Sequence, residues 1–207
     1  MTATLKKPPH RKPAQRKRAV CADEPQPRKW TREEYHRLGD AGFFRNRRVQ
    51  LIEGSIIEMS PQKNAHSVSL LLTCDVMKAL FGTMRTVRFQ LPLKLSDVSE
   101  PEPDVAIVTG NPRDWSDHPA TADLVIEISD SSLQFDLTDK AELYARALLP
   151  EYWVVDLVHR RLIVHRQPKR PRSGAARYEK VTVYDADAVV KPLAKPRASV
   201  KVADLRP

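Results

Sequence analysis

The feature that most limits how this chain can fold is a carboxylate set inside an apolar run, Asp123-Leu124-Val125-Ile126-Glu127-Ile128-Ser129. The run is short and rich in Val and Ile, which predicts a buried strand rather than a helix. A carboxylate in such a strand is costly unless an ion or hydrogen bonds compensate it. A second run precedes it, Glu102-Pro103-Asp104-Val105-Ala106-Ile107-Val108, and here Asp104 opens the strand. The following stretch, Asp136-Leu137-Thr138-Asp139-Lys140-Ala141-Glu142-Leu143-Tyr144, reads as a helix. At about 100° per residue, Leu137, Ala141, Tyr144 and Leu148 share one face, with Lys140 at its edge and turned toward the core. Its stem can pack on apolar surface while the ammonium reaches the strand ends. Asp136 shares that flank and is a candidate helix cap. Two carboxylates and a lysine therefore stand where a metal site can form.

The rest of the chain sets the frame. With 207 residues, 41% of them hydrophobic, it can bury one good core, so one domain behind a tail is expected. Nine of the 35 basic residues and two of the 26 acids fall within residues 1–29, a net +7 of the chain's +9. The tail, rich in Pro, Lys and Arg, is predicted to be disordered. It reads either as an arm that tracks phosphates or as a solubilising extension. The remaining 26 bases and 24 acids leave residues 30–207 almost neutral. Cys21 and Cys74 lie far apart without CxxC spacing, which excludes a disulfide framework or a zinc cluster. No run is long enough for a membrane span and no secretory segment is evident, so a soluble cytoplasmic protein is expected.

Along residues 30–207, Thr31 and Glu34 have capping-box spacing, predicting a short helix that stops at Gly39. Val49–Ile52 and Ile56–Met59 form a hairpin around Glu53-Gly54. Glu53 is a turn residue and a possible third metal carboxylate. A helix over 64–81 carries Val68, Leu71, Leu72, Val76, Ala79 and Leu80, with His66 in its first turn as a hydrogen-bonding group. Residues 86–95 alternate as a half-exposed strand, with Pro92 marking an edge. Strands at 151–157 and 161–166 follow, with Tyr152 and Trp153 as packing residues and His159 and His165 at the surface. Segments 178–184 and 199–202 are expected to extend the sheet.

The order helix, three strands, helix, strand, with a Pro-Asp opening the second strand and a Glu inside the third, resembles the PD-(D/E)xK nuclease superfamily. More closely, the chain resembles the Uma-two family of restriction-endonuclease-like proteins. The matching phrases are Leu51-Ile52-Glu53-Gly54, Met59-Ser60-Pro61, Pro103-Asp104-Val105, Val125-Ile126-Glu127-Ile128-Ser129, Asp136 to Lys140 with Tyr144, and Glu151-Tyr152-Trp153-Val154-Val155-Asp156. The superfamily's lysine would fall at Ser129, and the resemblance places it instead on the next helix, at Lys140. It implies an α/β domain with a mixed central sheet flanked by helices, α-β-β-β-α-β, plus an N-terminal hairpin and extra C-terminal strands.

The resemblance further implies a Mg²⁺-dependent DNA endonuclease, with Mn²⁺ able to substitute, that works as a homodimer. Asp104, Glu127 and the Ile128 carbonyl would hold the metal, with Lys140 as the third catalytic group. Lys140 would orient or deprotonate the attacking water, or balance charge in the transition state. Glu53, His66, Ser129 and Asp136 are accessory candidates. The plainer reading is a buried Glu127–Lys140 ion pair beside a strand-ending Asp104, but burying such a pair seldom gains stability. A different class of function is a non-cleaving DNA-binding or assembly module on the same fold. The absence of a GxSxG elbow disfavours a serine hydrolase. Deleting residues 1–29 is expected to weaken DNA binding and flatten its salt dependence, leaving the saturated single-turnover rate nearly intact; an unchanged salt slope assigns the tail to solubility.

Overall fold

The computed structural model describes residues 25–82 and 85–207, so Cys21 and most of the basic tail lie outside the described residues. Its first element is helix α1 (Arg32–Asp40), entered through the expected capping box: the Thr31 side chain accepts from the Glu34 N–H, and the Glu34 carboxylate accepts from the Thr31 N–H. Strands β1 (Val49–Ile52) and β2 (Ser55–Glu58) then form an antiparallel hairpin. Its two turn residues have positive φ, 48° at Glu53 and 78° at Gly54, the turn whose twist suits a two-residue hairpin. A Cβ on Gly54 would lie 2.6 Å from the Lys29 side chain, so glycine is required there twice over. The hairpin is fastened to the segment preceding Asp104: the Glu100 N–H donates to the Leu51 carbonyl at 2.7 Å, and the Glu102 N–H to the Gln50 side chain at 3.2 Å.

Helix α2 (Asn64–Phe81) leads into β3 (Thr86–Phe89), β4 (Val105–Val108) and β5 (Leu124–Ser129). A continuous helical stretch follows: α3 (Leu133–Phe135), a π-helical turn over Asp136–Lys140, and α4 (Ala141–Arg146). The chain then returns as β6 (Glu151–Asp156), β7 (Arg161–Lys169) and β8 (Arg177–Tyr184). These last six strands make one mixed sheet in the order β3-β4-β5-β6-β7-β8, in which β5 and β6 pair parallel and the other pairs are antiparallel. Both faces of the sheet are covered. Leu124, Ile126, Ile128, Trp153 and Val155 pack with Met77 and Phe81 of α2, while Val125, Val154 and Ile163 pack with Tyr144 and Ala145 of α4. Double burial explains why β5 and β6 read as unbroken apolar runs.

Four local expectations are corrected. The 86–95 strand ends at Phe89, because Gln90 turns to φ 52° and its N–H goes to the carbonyls of Pro103 and Asp104. The buried stripe of α2 is Ser69, Thr73, Cys74, Met77 and Phe81, leaving Leu71 exposed, since the Ser69 and Thr73 hydroxyls both donate to the Leu205 carbonyl. The last strand, β10 (Val200–Lys201), does not extend the main sheet but pairs with β9 (Val189–Val190) in a separate two-stranded sheet. His165 is buried rather than at the surface, held between the rings of Tyr152 and Tyr178.

Burial pushes the His165 imidazole down to about 4, and its Nδ1 has no partner. The unfolded chain therefore binds a proton below about pH 6.5 that the folded protein refuses, so stability rises with pH across this interval. Relative to neutral pH, urea unfolding should show up to ~3 kcal/mol lost by pH 4 from this one residue. His165→Gln should flatten that part of the pH profile; an unchanged profile would show that other groups set it.

Candidate active site

The register of β4 against β5 builds the site. Val105 pairs with Ile126 and Ala106 with Val125, so one step beyond, Asp104 stands directly across from Glu127 on the same sheet face. Like charges in cross-strand register repel. A further step sets Pro103 across from Ile128, and proline has no N–H to continue the ladder. Past the last ladder pair the Ile128 N–H turns to a side chain instead, donating to the Asp104 Oδ2 atom at 2.8 Å. Thus the apolar strands force two carboxylates together at the point where their backbone pairing ends.

The helical stretch supplies the counter-charge. The Lys140 Nζ lies 2.8 Å from Glu127 Oε1 and 3.7 Å from Asp136 Oδ1. Tyr144 donates its hydroxyl to the same Glu127 oxygen at 2.7 Å. Asp136 accepts from Ser132 Oγ at 2.6 Å and from Ser129 Oγ, so Ser129, two residues after Glu127, orients a carboxylate. Asp136 is not a cap: it sits inside the helix, with its N–H bonded to the Ser132 carbonyl and its own carbonyl accepting from Tyr152. The π-helical turn rotates less per residue than an α-turn and so aims Asp136, Lys140 and Tyr144 at one point; such turns recur at functional sites. His66, from the first turn of α2, completes the far side at 3.1 Å from Asp104 Oδ1, joined by Gln90 Nε2 at 3.4 Å.

Charge and burial oppose each other throughout this cluster. Burial drives the Glu127 carboxyl up to about 7 against the pull of Lys140. Burial would depress Lys140, yet the field of Glu127, Asp136 and Asp104 wins and holds it above the ordinary lysine value, so it stays an ammonium. Asp104 likewise overcomes its burial through His66, Lys140 and the Ile128 N–H and lies below the carboxylate range. The Asp104 contact raises His66 despite burial. Three carboxyl groups thus face one fixed ammonium, and a divalent cation beside Glu127 would favour its ionised form.

The donors suit it as well. Asp104 and Glu127 are hard oxygen ligands facing one cavity of ≈ 280 Å³, which Ile128, Asp136, Lys140 and His66 also line. Among the described residues no group of three or more His, Cys, Asp or Glu is arranged to enclose a metal. Mg²⁺ does not need such a cage, because it is commonly held by one or two carboxylates and keeps several waters. Asp104, Glu127, Ile128, Lys140, His66, Ser129 and Asp136 are thus brought together, whereas Glu53 is not. It turns away with the hairpin, accepting from Ser99 Oγ at 3.3 Å and lying 3.8 Å from Arg146 beside a separate cavity. The end of β2 reaches the site instead, through Ile57, Glu58 and Met59. Sequence reasoning overlooked Tyr144 as a site residue, although its spacing of four from Lys140 was a usable signal. Gln90, Arg48 and Lys63 carried no local signal.

The sheet order and the helix inserted between its two parallel strands define a restriction-endonuclease-like fold. Residues 32–202 match the Uma2 (Uma-two) family, described as "putative restriction endonuclease", and the chain belongs to that family. A crystal structure from Anabaena variabilis, described as a "putative nuclease belonging to DUF820", shares the fold with a TM-score of 0.61 at 19% identity, over 84% of this chain and 96% of that one. No curated protein matches the sequence. Among the described residues no helix is long and apolar enough to cross a membrane.

Proposed function

We propose that the protein is a Mg²⁺-dependent endonuclease that hydrolyses DNA phosphodiester bonds at the Asp104–Glu127–Lys140 cluster. The observation that carries this reading is the buried cross-strand carboxylate pair with its lysine delivered from the next helix, all facing one cavity. Asp104 and Glu127, with the Ile128 carbonyl, would hold the ion. When bound, Mg²⁺ supplies Lewis-acid neutralisation of charge developing on the phosphate.

The chain's own groups do the rest. Lys140 is the fixed positive charge, and its raised pKa favours charge balance in the transition state over proton abstraction. Tyr144 and Asp136 hold its position, Tyr144 by hydrogen-bonding the carboxylate to which the ammonium is bound, Asp136 through the i,i+4 contact. His66 orients Asp104 from the opposite side.

Supercoiled plasmid should be nicked by the purified protein with Mg²⁺ or Mn²⁺ and left intact with EDTA. Metal binding without cleavage would favour a non-cleaving module on this fold. Asp104→Ala should abolish the Mn²⁺ heat seen by titration calorimetry in the wild type; equal binding by both proteins would remove the metal site.

Lys140→Met, checked for folding by circular dichroism, should keep metal binding and lower cleavage by something like 10²- to 10⁴-fold. Arginine should not rescue it, because a planar guanidinium does not fit a pocket shaped around a buried, compact ammonium. Cleavage by Lys140→Met at the wild-type rate would refute the assignment.

A further inference from the structure

We infer that the strand this site accepts is an unpaired one: single-stranded DNA, or a nucleotide extruded from a duplex. The inference rests on the nuclease reading above and adds the form of the substrate. Its basis is access. Asp104, Glu127 and Lys140 line the cavity yet are only 8%, 3% and 2% exposed. A phosphate on the outside of a stiff duplex cannot descend to groups this deep without displacing the walls, whereas a single flexible strand can.

The walls suit that strand. One is the end of the β1–β2 hairpin, offering Ile57 and Met59, and Pro61 continues it. Phe135, a half-buried ring placed just before the π-helical turn that carries Asp136 and Lys140, lines the same cavity. An aromatic ring among apolar side chains is a surface on which any base can stack, and stacking needs no base pair. Two exposed cations also line the cavity, Lys63 at 3.1 Å from the half-buried Asp130 and Arg48 at 3.9 Å from the half-buried Glu102. Surface pairs of this kind contribute little, so a phosphate can replace either carboxylate at small cost.

The test presents the full-length protein and Mn²⁺ with one labelled sequence in three forms: single strand, full duplex, and duplex with a central unpaired bulge. Bis(4-nitrophenyl) phosphate serves as a diester that carries no base. Because unpairing a base costs a few kcal/mol, the single strand and the bulge should be cleaved at least about 10-fold faster than the duplex in single turnover. The cleavage-impaired Lys140→Met protein should likewise bind the single strand more tightly by fluorescence anisotropy. Phe135→Ala should weaken that binding on the order of 10-fold and Phe135→Tyr should restore it. Duplex cleaved as fast as single strand, or bound as tightly by Lys140→Met, would overturn the inference while leaving the nuclease reading intact. Failure to hydrolyse any DNA or the small diester would overturn the nuclease reading, and the anisotropy comparison would still decide which strand form the cavity holds.

Discussion

Asp104 and Glu127 face each other across two antiparallel strands, and the tertiary arrangement around them reads as the response to that repulsion. Lys140 is drawn into the core beside Glu127, Tyr144 gives its hydroxyl to the same carboxylate, Ser129 orients Asp136 behind the lysine, and His66 reaches round from α2 to Asp104. A cluster like this is a poor way to gain stability. Removing one member of a buried pair typically costs about 3–5 kcal/mol, while an apolar replacement of the whole set is often neutral or better. A fold needing only a core would have filled these positions with apolar residues, as β5 does at Leu124, Val125, Ile126 and Ile128. The charges are what the scaffold is built to hold.

The scaffold holds them by dividing its two faces. The α2 side of the sheet is packed with Ile126, Ile128, Trp153 and Met77, whereas the α4 side interrupts its apolar packing with Asp104, Glu127 and Lys140. Because strand residues alternate between faces, one register places Asp104 and Glu127 on the same side. A slip of one residue would send Glu127 into the α2 packing and bring Ile126 to the cavity. The Ile128 N–H, which donates to the Asp104 side chain and not to a backbone carbonyl of β4, marks where that register ends.

Much of this was legible in the residues. Glu127 announced itself as an acid in a Val- and Ile-rich run, Asp104 by following a proline at a strand start, and Lys140 by helical spacing. The hairpin turn and the Thr31–Glu34 capping box were also readable, because each is a local pattern. What stayed hidden depends on contacts between distant segments. The inward face of α2 is set by a carbonyl more than a hundred residues away, at Leu205, which draws Ser69 and Thr73 inward against their polarity. His165 looked like a surface residue until two tyrosines from neighbouring strands enclosed it. Glu53 belonged to the right phrase but points along the wrong side of its turn, and the π-helical turn has no propensity signature.

The parallel pairing of β5 with β6 has a consequence for the life of the molecule before it is folded. These two strands can meet only after the helical stretch between them, Leu133–Arg146, has crossed the sheet. Pairings that need such a crossover tend to form late, because the loop must be closed before any contact rewards it. Lys140 rides on that crossing segment, so the ammonium is seated beside Glu127 only when the segment docks on the sheet. An emerging or half-assembled chain carries the acids without their partner. The docking that closes the sheet is thus also the step that completes the charge cluster.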